Sequence, residues 1–284
     1  MPALASAAPT AEEIRRLEEL TLATSPAIHQ WLYDGWVLRA SGNDVRRANS
    51  VTVFYPSTIA LEEKIAVVED WYRQHGQGAM FRLNDILTPP ELDGLLAQRG
   101  YTREMDTFMM TLQLSDLKAV PEVPAGLRVV ARSSADGIAD VHQLKGSTPA
   151  MAERDAARQS LWRGPEQYLA LKSITGLLSC GMARLQNGHV GIFTMRTAEK
   201  SRGKGYGSLL VAQLLAWGRS QGAHAAFLQV DQANEAAVRV YRRFGFAPRY
   251  GYWQRVQSAD PAQKECSPAS ALTRSTDKLV TLSF

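Results

Sequence analysis

Two segments of this 284-residue chain repeat one pattern of tryptophan, glycine and phenylalanine. Residues 71–76 read Trp-Tyr-Arg-Gln-His-Gly and precede Ala-Met-Phe at residues 79–81. Residues 217–222 read Trp-Gly-Arg-Ser-Gln-Gly and precede Ala-Ala-Phe at residues 225–227, with the same internal spacing. Repeats of this kind set the architecture of a chain, because each copy forms one structural unit. We therefore predict a tandem duplication, with chance identity of scattered residues as the alternative.

A break between the two copies lies at residues 120–126, where two prolines and a glycine are typical of an extended linker. Strands and helices follow one another on both sides of it, which indicates an α/β protein with a mixed sheet. We predict an N-terminal domain over residues 1–119 and a second domain over residues 127–256. A polar, serine-rich tail over residues 257–284 follows, and its segment 278–282 has the apolar pattern of an added strand.

The composition excludes several classes of protein. No run of about 18 apolar residues suits a membrane span, and the N-terminus lacks the basic and apolar regions of a secretory signal. We therefore expect a cytoplasmic protein. Cys180 lies in an apolar run and Cys266 in the polar tail, so we expect neither a disulfide nor a metal site. The formal net charge of +4 fits an anionic small ligand, but no dense Lys/Arg tract predicts a nucleic-acid partner.

The most specific segment for ligand binding follows a predicted strand and opens an amphipathic helix. It consists of Arg202, Gly203, Lys204, Gly205, Tyr206 and Gly207, with Ser208 next. Glycines let the backbone turn tightly, and the first amides of a helix point at an anion. The segment predicts a pyrophosphate cradle, with a flexible basic loop as the alternative. It lacks the Gly-Lys-Ser/Thr ending of a Walker loop and the downstream acidic residue of a dinucleotide site.

A second motif runs from Asn234 through Tyr241 to a Gly-Phe pair at residues 245–246. The glycine loop before it matches the pattern Arg/Gln-x-x-Gly-x-Gly/Ala. Together, at this separation, the two motifs resemble the GNAT superfamily of acetyl-CoA-dependent N-acetyltransferases, and the N-terminal half resembles that of its two-part bacterial type. The resemblance covers residues 127–256. It implies tandem GNAT-like domains with a sheet splayed open at its centre and a degenerate N-terminal half.

The resemblance also implies roles in acetyl-CoA binding. In a strand over residues 190–197, the amides of Met195 and Thr197 would face the pantetheine arm and the acetyl carbonyl. The loop amides would hold the pyrophosphate, and Asn234 would hydrogen-bond the pantetheine region. The predicted cofactor-binding residues are thus Met195, Thr197, Arg202, Gly203, Lys204, Gly205, Tyr206, Gly207, Ser208 and Asn234.

The chemistry that the resemblance implies needs few side chains. Tyr241 would be the catalytic residue, with its hydroxyl near the thioester sulfur, where it can protonate the leaving thiolate. The amide of Met195 would stabilise the oxyanion. The alternatives are a core aromatic for Tyr241 and a helix N-cap for Asn234, and the second is compatible with a binding role. Because no cysteine is placed as a nucleophile, we predict direct attack by a primary amine.

The sequence does not identify a general base. Many members of the superfamily carry a glutamate near the start of the central strand, but residues 188–193 read Gly-His-Val-Gly-Ile-Phe. His189 and Asp231 are candidates, with a solvated turn residue and a structural residue as the respective alternatives. The missing base leaves a non-catalytic acyl-CoA-binding or interaction module as a second hypothesis beside the N-acetyltransferase.

The N-terminal half lacks the counterparts of the cofactor motifs. At the offset of the repeat, residues 56–61 contain no glycine, Leu96 takes the position of Tyr241, and Pro89 takes that of Asn234. We therefore predict one acetyl-CoA site per chain.

Arginines in residues 35–39 and 46–51 of this half, together with Asn49, have two interpretations. They line a substrate cleft, or they form a charged edge of the sheet. The sequence specifies neither the acceptor amine nor the oligomeric state.

Overall fold

The computed structural model describes residues 8–117 and 119–257. These residues form seven helices, eleven strands and three single-turn 3₁₀ helices. The helices are α1 (Ala11–Thr24), α2 (Leu61–Gln74), α3 (Leu92–Gln98), α4 (Ser134–Lys145), α5 (Pro149–Gln159), α6 (Tyr206–Ser220) and α7 (Glu235–Arg243). The strands are β1 (His29–Tyr33), β2 (Trp36–Ala40), β3 (Val51–Val53), β4 (Met80–Leu83), β5 (Thr102–Gln113), β6 (Arg128–Arg132), β7 (Glu166–Ser173), β8 (Gly176–Gln186), β9 (His189–Thr197), β10 (Ala225–Asp231) and β11 (Ala247–Val256).

All eleven strands of the described residues belong to one mixed sheet, in the order β1-β2-β3-β4-β11-β5-β10-β9-β8-β7-β6. The pairs β3–β4 and β9–β10 are parallel, and every other pair is antiparallel. The prediction of an α/β protein with a mixed sheet is confirmed.

The two halves of the chain exchange their last strands at the centre of this sheet. Strand β5 ends the N-terminal half but pairs with β10, whereas β11 ends the C-terminal half but pairs with β4. The exchanged strands also pair with each other. The sheet therefore continues across the linker at residues 120–126, and the domain boundaries stay a prediction. The predicted added strand at residues 278–282 lies outside the described residues.

The sheet opens between β9 and β10. Parallel pairing joins only Ala225 to His189, Ala226 to Val190 and Phe227 to Gly191. Past Gly191, toward the carboxyl ends of both strands, β9 has no partner on that side within the described residues. Such carboxyl-end crevices of parallel strands are the usual ligand sites of α/β sheets.

Helix α6 is held close to this opening. Its Leu210 and Leu214 are fully buried in a core that also contains Val190 and Ala226. At Gly218 the helix approaches β9 so closely that a Cβ would lie 2.7 Å from the Cβ of Val190. The close contact fixes the direction of α6, and its N-terminus therefore lies beside the opening.

Helix α1 supports the second domain from the other side. A capping box between Thr10 and Glu13 begins the helix, and Ile14 and Leu20 are buried against Phe193 and Phe227. Burial of one such aliphatic side chain contributes roughly 1.5–3 kcal/mol. The first helix of the chain thus forms part of the support beneath the opened strands.

Element boundaries differ from the sequence prediction mainly in the N-terminal half. The sequence predicts a strand over residues 48–54, but only β3 forms there, preceded by the 3₁₀ turn Arg46–Ala48, because the Asn49 side chain organises a loop. Strand β1 was not predicted, since its polar start, His-Gln, breaks the apolar pattern. Strand β5 starts at Thr102 because β11 pairs with its polar first residues.

Candidate active site

A cleft of about 760 Å³ lies where β9 and β10 separate, and it extends to the turn Arg46–Ala48 of the N-terminal half. Tyr241 and nine of the ten predicted cofactor-binding residues line it. The tenth, Lys204, is exposed and is not part of the lining. These nine are Met195, Thr197, Arg202, Gly203, Gly205, Tyr206, Gly207, Ser208 and Asn234.

The glycine loop leaves the start of α6 open. Gly203 and Gly205 adopt φ values of 76° and 79°, a left-handed conformation that strains other residues. Apart from the two chain neighbours, no atom of the described residues lies within 4 Å of a Cβ built on either glycine. Gly205 is the N-cap and provides no side-chain acceptor, so the first amides of α6 have no capping partner. The loop therefore has the geometry of an anion cradle.

Basic side chains surround this cradle. Lys200, Arg202 and Lys204 are exposed, and none forms an ion pair within residues 8–117 and 119–257. The first turn of α6 also carries no acidic residue. Both features favour an anionic ligand. The dipole of α6 adds about 0.3–1 kcal/mol to this preference.

Strand β9 presents an unpaired edge to the cleft. The amide of Ala198 donates to the carbonyl of Leu178 at 2.8 Å, on the β8 side. Because successive amides of a strand point to opposite edges, the amide of Thr197 faces the cleft. Two residues earlier, the register with β8 shifts between Phe193 and Arg196, and Thr194 has a φ of 50°. This bulge redirects the backbone at Met195.

The side chain of Met195 packs on β8 at a glycine. A Cβ on Gly181 would lie 2.1 Å from the Met195 sulfur, so any other residue there would require the Met195 side chain to move. The Met195 side chain is thus directed toward the sheet. The backbone of the bulge therefore provides the polar groups at this part of the cleft wall.

Tyr241 lies on α7 with its ring against Phe246, at 6.0 Å between ring centroids. Burial raises the pKa of the Tyr241 hydroxyl to about 12, although the charge of Arg196 acts in the opposite direction. The hydroxyl is therefore protonated at neutral pH. It makes no hydrogen bond to any of the described residues, so its proton is available to a ligand in the cleft.

Asn234 caps α7, as one of its alternatives predicted. Its Oδ1 accepts from the Ala237 amide at 3.1 Å, and its own amide donates to the Asp231 carbonyl at 3.0 Å. The side-chain NH₂ keeps both protons free within the described residues, and Asn234 also lines the cleft. Capping and ligand binding are thus compatible.

The two candidate bases have different positions. His189 lies outside the cleft, where its Nδ1 is 2.9 Å from the Asn187 carbonyl and its ring packs on His224. Burial lowers the pKa of His189. Asp231 lines the cleft, but its Oδ1 accepts from the Ala233 amide at 2.9 Å, within the turn before α7. The geometry thus gives His189 no contact with the cleft.

A buried His–Asp pair, absent from the sequence prediction, lines the cleft from α4 and α5. His142 Nε2 is 3.2 Å from Asp155 Oδ2, and Arg158 holds the other oxygen of Asp155 at 2.6 Å. An ionised Asp155 favours the tautomer with the proton on Nε2, which leaves the lone pair on Nδ1. Nδ1 is buried and has no hydrogen-bond partner among the described residues.

Of the three N-terminal arginines, two lie where the cleft interpretation places them, and Arg39 fits neither interpretation. Arg46 and Arg47 line the cleft. Arg39 is buried and donates to the carbonyls of Arg47, Leu22 and Ser25, so it holds the backbone. Asn49 is also buried, and its side chain bonds the loop backbone at residues 41–45 instead of lining the cleft.

A second buried ion pair lies within the N-terminal half, where two tyrosines of β11 contact it. Arg82 Nη1 is 2.8 Å from Glu18 Oε2, and Tyr250 donates its hydroxyl to the other oxygen of Glu18. The Arg82 guanidinium also stacks over the Tyr252 ring at 3.9 Å. Both partners of the ion pair are nearly fully buried, so loss of either would leave an unpaired charge.

The sequence of this chain matches one family model and one named relative over most of its length. The family model described as "Probable histone acetyltransferase Rv0428c C-terminal" matches residues 10–253. The uncharacterized N-acetyltransferase YobR of Bacillus subtilis is 28% identical over 252 residues, which are 87% of this chain and 99% of YobR.

Solved structures show the same fold. A GCN5-related N-acetyltransferase from Kribbella flavida has a TM-score of 0.63 at 18% identity, covering 90% of this chain and 98% of its own. A tandem GNAT protein from the clavulanic acid biosynthesis pathway has a TM-score of 0.55 at 17% identity, covering 70% of each chain. Among the described residues, no helix is long and apolar enough to cross a membrane. By its sequence match and its splayed sheet, the chain belongs to the Rv0428c C-terminal acetyltransferase family and is an acetyltransferase of the GNAT type.

Proposed function

We propose that this enzyme transfers an acetyl group from acetyl-CoA to a primary amine by direct attack. One observation carries the proposal: a single cleft contains an open glycine cradle, an unpaired strand edge and a tyrosine hydroxyl that has no partner among the described residues. These are the three groups that an acyl-CoA thioester needs for its phosphates, its amide-rich arm and its leaving sulfur.

In this proposal, the free amides at Tyr206, Gly207 and Ser208 bind the pyrophosphate, and Arg202 adds positive charge. The edge of β9 at Met195 and Thr197 forms backbone hydrogen bonds to the pantetheine arm, and Asn234 donates to it from the opposite wall. Acetyl-CoA supplies the acetyl group as a thioester. Binding along this edge excludes water from the opening of the sheet.

The reaction then needs two hydrogen-bond donors. The Met195 amide at the bulge stabilises negative charge on the carbonyl oxygen, which is usually a large contribution in acyl transfer. The Tyr241 hydroxyl donates its proton to the sulfur as the C–S bond breaks. Its raised pKa keeps the hydroxyl protonated at neutral pH, so it is present as a hydrogen-bond donor to the sulfur. Burial raises the pKa of the Cys180 thiol to about 12, which disfavours a covalent acyl-cysteine intermediate.

The attacking amine must lose a proton, and His142 has a lone pair on Nδ1 without a partner among the described residues. We assign it as proton acceptor. His142→Gln should lower kcat while acetyl-CoA affinity stays unchanged, because the imidazole is not part of the cofactor cradle. An unchanged kcat, measured per folded molecule, would exclude this role.

Thiol release from acetyl-CoA with a panel of amines, beside a calorimetric binding measurement, tests the proposal. Gly205→Asp, with a carboxylate in the cradle, should abolish both signals. The matched control is Gly222→Asp at the other end of α6, where φ is also positive and a Cβ meets no atom within 4 Å. Binding without release on any amine would instead favour the non-catalytic acyl-CoA-binding module.

A further inference from the structure

Arg47 differs from the other cations on the N-terminal and α4–α5 side of the cleft. Each of the others has a carboxylate partner, whereas Arg47 has none within the described residues. The pairs are Arg46 with Glu104, Arg82 with Glu18, Lys145 with Asp44, Arg158 with Asp155, and Arg184 with Glu166.

The Arg47 guanidinium lies over the Phe193 ring, with Cζ 5.3 Å from the ring centroid. Burial lowers the pKa of Arg47 to about 10, and the charges of Arg82 and Arg158 add to this effect. Arg47 nevertheless carries its charge at neutral pH. Arg47 is half-buried in the cleft wall, and its guanidinium donates no hydrogen bond to the described residues, so its five donors are available to an anionic ligand.

The backbone around Arg47 is fixed before any ligand binds. Its carbonyl accepts from Arg39 at 3.3 Å, and the Asn49 side chain holds the loop through Val45 at 3.0 Å. A rigid support of this kind is typical of a binding side chain, since less conformational entropy is lost on binding.

The phosphates of the cofactor would lie too far from Arg47 to be its anionic partner. Phe193 lies four residues before Thr197 on β9, which is about 13 Å along an extended strand, and the glycine loop lies beyond Thr197. Phe193 adjoins the bulge at Thr194 and Met195, where the thioester is proposed to lie. Arg47 therefore faces the acceptor side of the reacting centre.

We propose that the acceptor is a small amine that carries a carboxylate, and that Arg47 binds this carboxylate while the amine faces the thioester. The proposal rests on the function proposed above and names its substrate class. Arginine suits this role, because its planar fork binds a carboxylate through two parallel hydrogen bonds, which a lysine cannot reproduce.

Turnover of matched amines tests the proposal. The panel comprises the twenty common amino acids and their carboxamides, with kcat/KM measured for each. We expect at least one amino acid to exceed its amide by about tenfold or more in the wild type, and Arg47→Gln to reduce that ratio by about tenfold, through KM. Arg47→Lys should give an intermediate ratio. Comparing the ratio between variant and wild type cancels the intrinsic pKa difference between acid and amide amines.

Arg219→Gln is the control, since Arg219 is exposed near the far end of α6 and should leave the ratio unchanged. Equal use of acids and amides, or an equal loss on both in Arg47→Gln, would overturn the proposal while the acetyltransferase function stands.

Binding measures the carboxylate preference without turnover. N-acetylated amino acids and N-acetylated amino-acid amides are titrated into the protein saturated with coenzyme A. A preference for acids that Arg47→Gln removes supports the proposal, even if no amine is acetylated and the proposed function fails. Equal binding of acids and amides, or no binding of any acid, would refute it.

Discussion

Helices α2 and α6 occupy corresponding positions in the two halves, but their N-termini differ in charge and in occupancy. The first turn of α2 carries Glu62 and Glu63, whereas that of α6 carries no acid and follows a basic loop. Both helices begin without a side-chain cap. Glu62 and Glu63 therefore interact with the positive end of the α2 dipole. The positive end of the α6 dipole has no acidic side chain in its first turn and can interact with a ligand.

The amides before α2 already hold an anion from the protein. The carboxylate of Asp34, in the turn between β1 and β2, accepts from the amides of Thr58 and Ile59 at 2.9 and 3.2 Å. Lys64, fully buried on α2, lies 3.0 Å from the same carboxylate and over the Trp36 ring. The equivalent loop before α6 has two left-handed glycines and no such occupant among the described residues.

The comparison shows that two helices in corresponding positions differ in what surrounds their N-termini. In the N-terminal half, an internal carboxylate and a buried lysine stabilise the place where a pyrophosphate would bind. In the C-terminal half, glycines keep that place open. We expect calorimetry to show one acetyl-CoA per chain, and two equivalent sites would contradict the comparison.

The largest effect is expected from closing the open site. Gly205→Asp should weaken acetyl-CoA binding at least about a hundredfold, because it adds a carboxylate where the backbone amides meet the phosphates. The positive φ of Gly205 adds strain of about 1–2 kcal/mol. Gly222→Asp shares this strain and should bind acetyl-CoA normally. Equal affinities of the two variants would show that the loop is not the phosphate site.

Two tyrosines, one in each half, provide the next comparison. Tyr241→Phe should lower kcat by about ten- to a hundredfold at unchanged acetyl-CoA affinity, because water partly replaces the lost donor. Its melting temperature should stay constant, since the hydroxyl has no partner among the described residues. Steady-state kinetics and thermal melting on one preparation separate these effects. Full turnover with a lowered melting temperature would exclude the acid role.

Tyr72→Phe is the converse change. The buried Tyr72 hydroxyl donates to the Arg39 carbonyl at 3.0 Å and accepts from its amide at 3.3 Å. Loss of these bonds should reduce the free energy of unfolding by about 0.5–1.5 kcal/mol, with turnover per folded molecule intact. A reduced kcat in folded Tyr72→Phe would mean that the N-terminal half takes part in the chemistry.

Much of the fold and of the cofactor side could be predicted from the sequence. Both depend on local signals: glycines 203 and 205 at left-handed positions, the Asn234 cap, and apolar spacing along α6. The apolar spacing of Ile14, Leu17 and Leu20 predicts a helix over residues 11–24, and α1 has these ends. The residue-by-residue roles of the site stay a proposal.

The acceptor side could not be predicted in the same way. His142 and Asp155 belong to different helices, and Arg47 and Phe193 lie in different halves, so no motif joins them. The exchange of β5 and β11 was also hidden, since the pattern of neither strand specifies the half with which it pairs. Long-range pairing of this kind depends on the assembled sheet.

The smallest effect is expected from removing the Asp34 carboxylate, which binds the amides before α2 in the N-terminal half. Hydrogen bonds from Thr58 and Lys64 lower the pKa of Asp34 well below its usual value. A carboxyl with a lowered folded-state pKa stabilises the protein above its unfolded pKa of about 3.9, and this contribution disappears as the pH falls through the folded pKa. Asp34→Asn should therefore melt below the wild type at pH 7, and the gap should shrink only in acid, below about pH 4.

Asp85→Asn is the control, because Asp85 is exposed and its carboxylate makes no hydrogen bond within the described residues. It should melt like the wild type at every pH. Acetyl-CoA should still bind Asp34→Asn at one site, since Glu62, Glu63 and the buried Lys64 remain at α2. A second site in this variant would mean that Asp34 alone keeps the N-terminal half from binding the cofactor. A melting gap that stays constant down to pH 2 would show instead that the Asp34 charge does not stabilise this half.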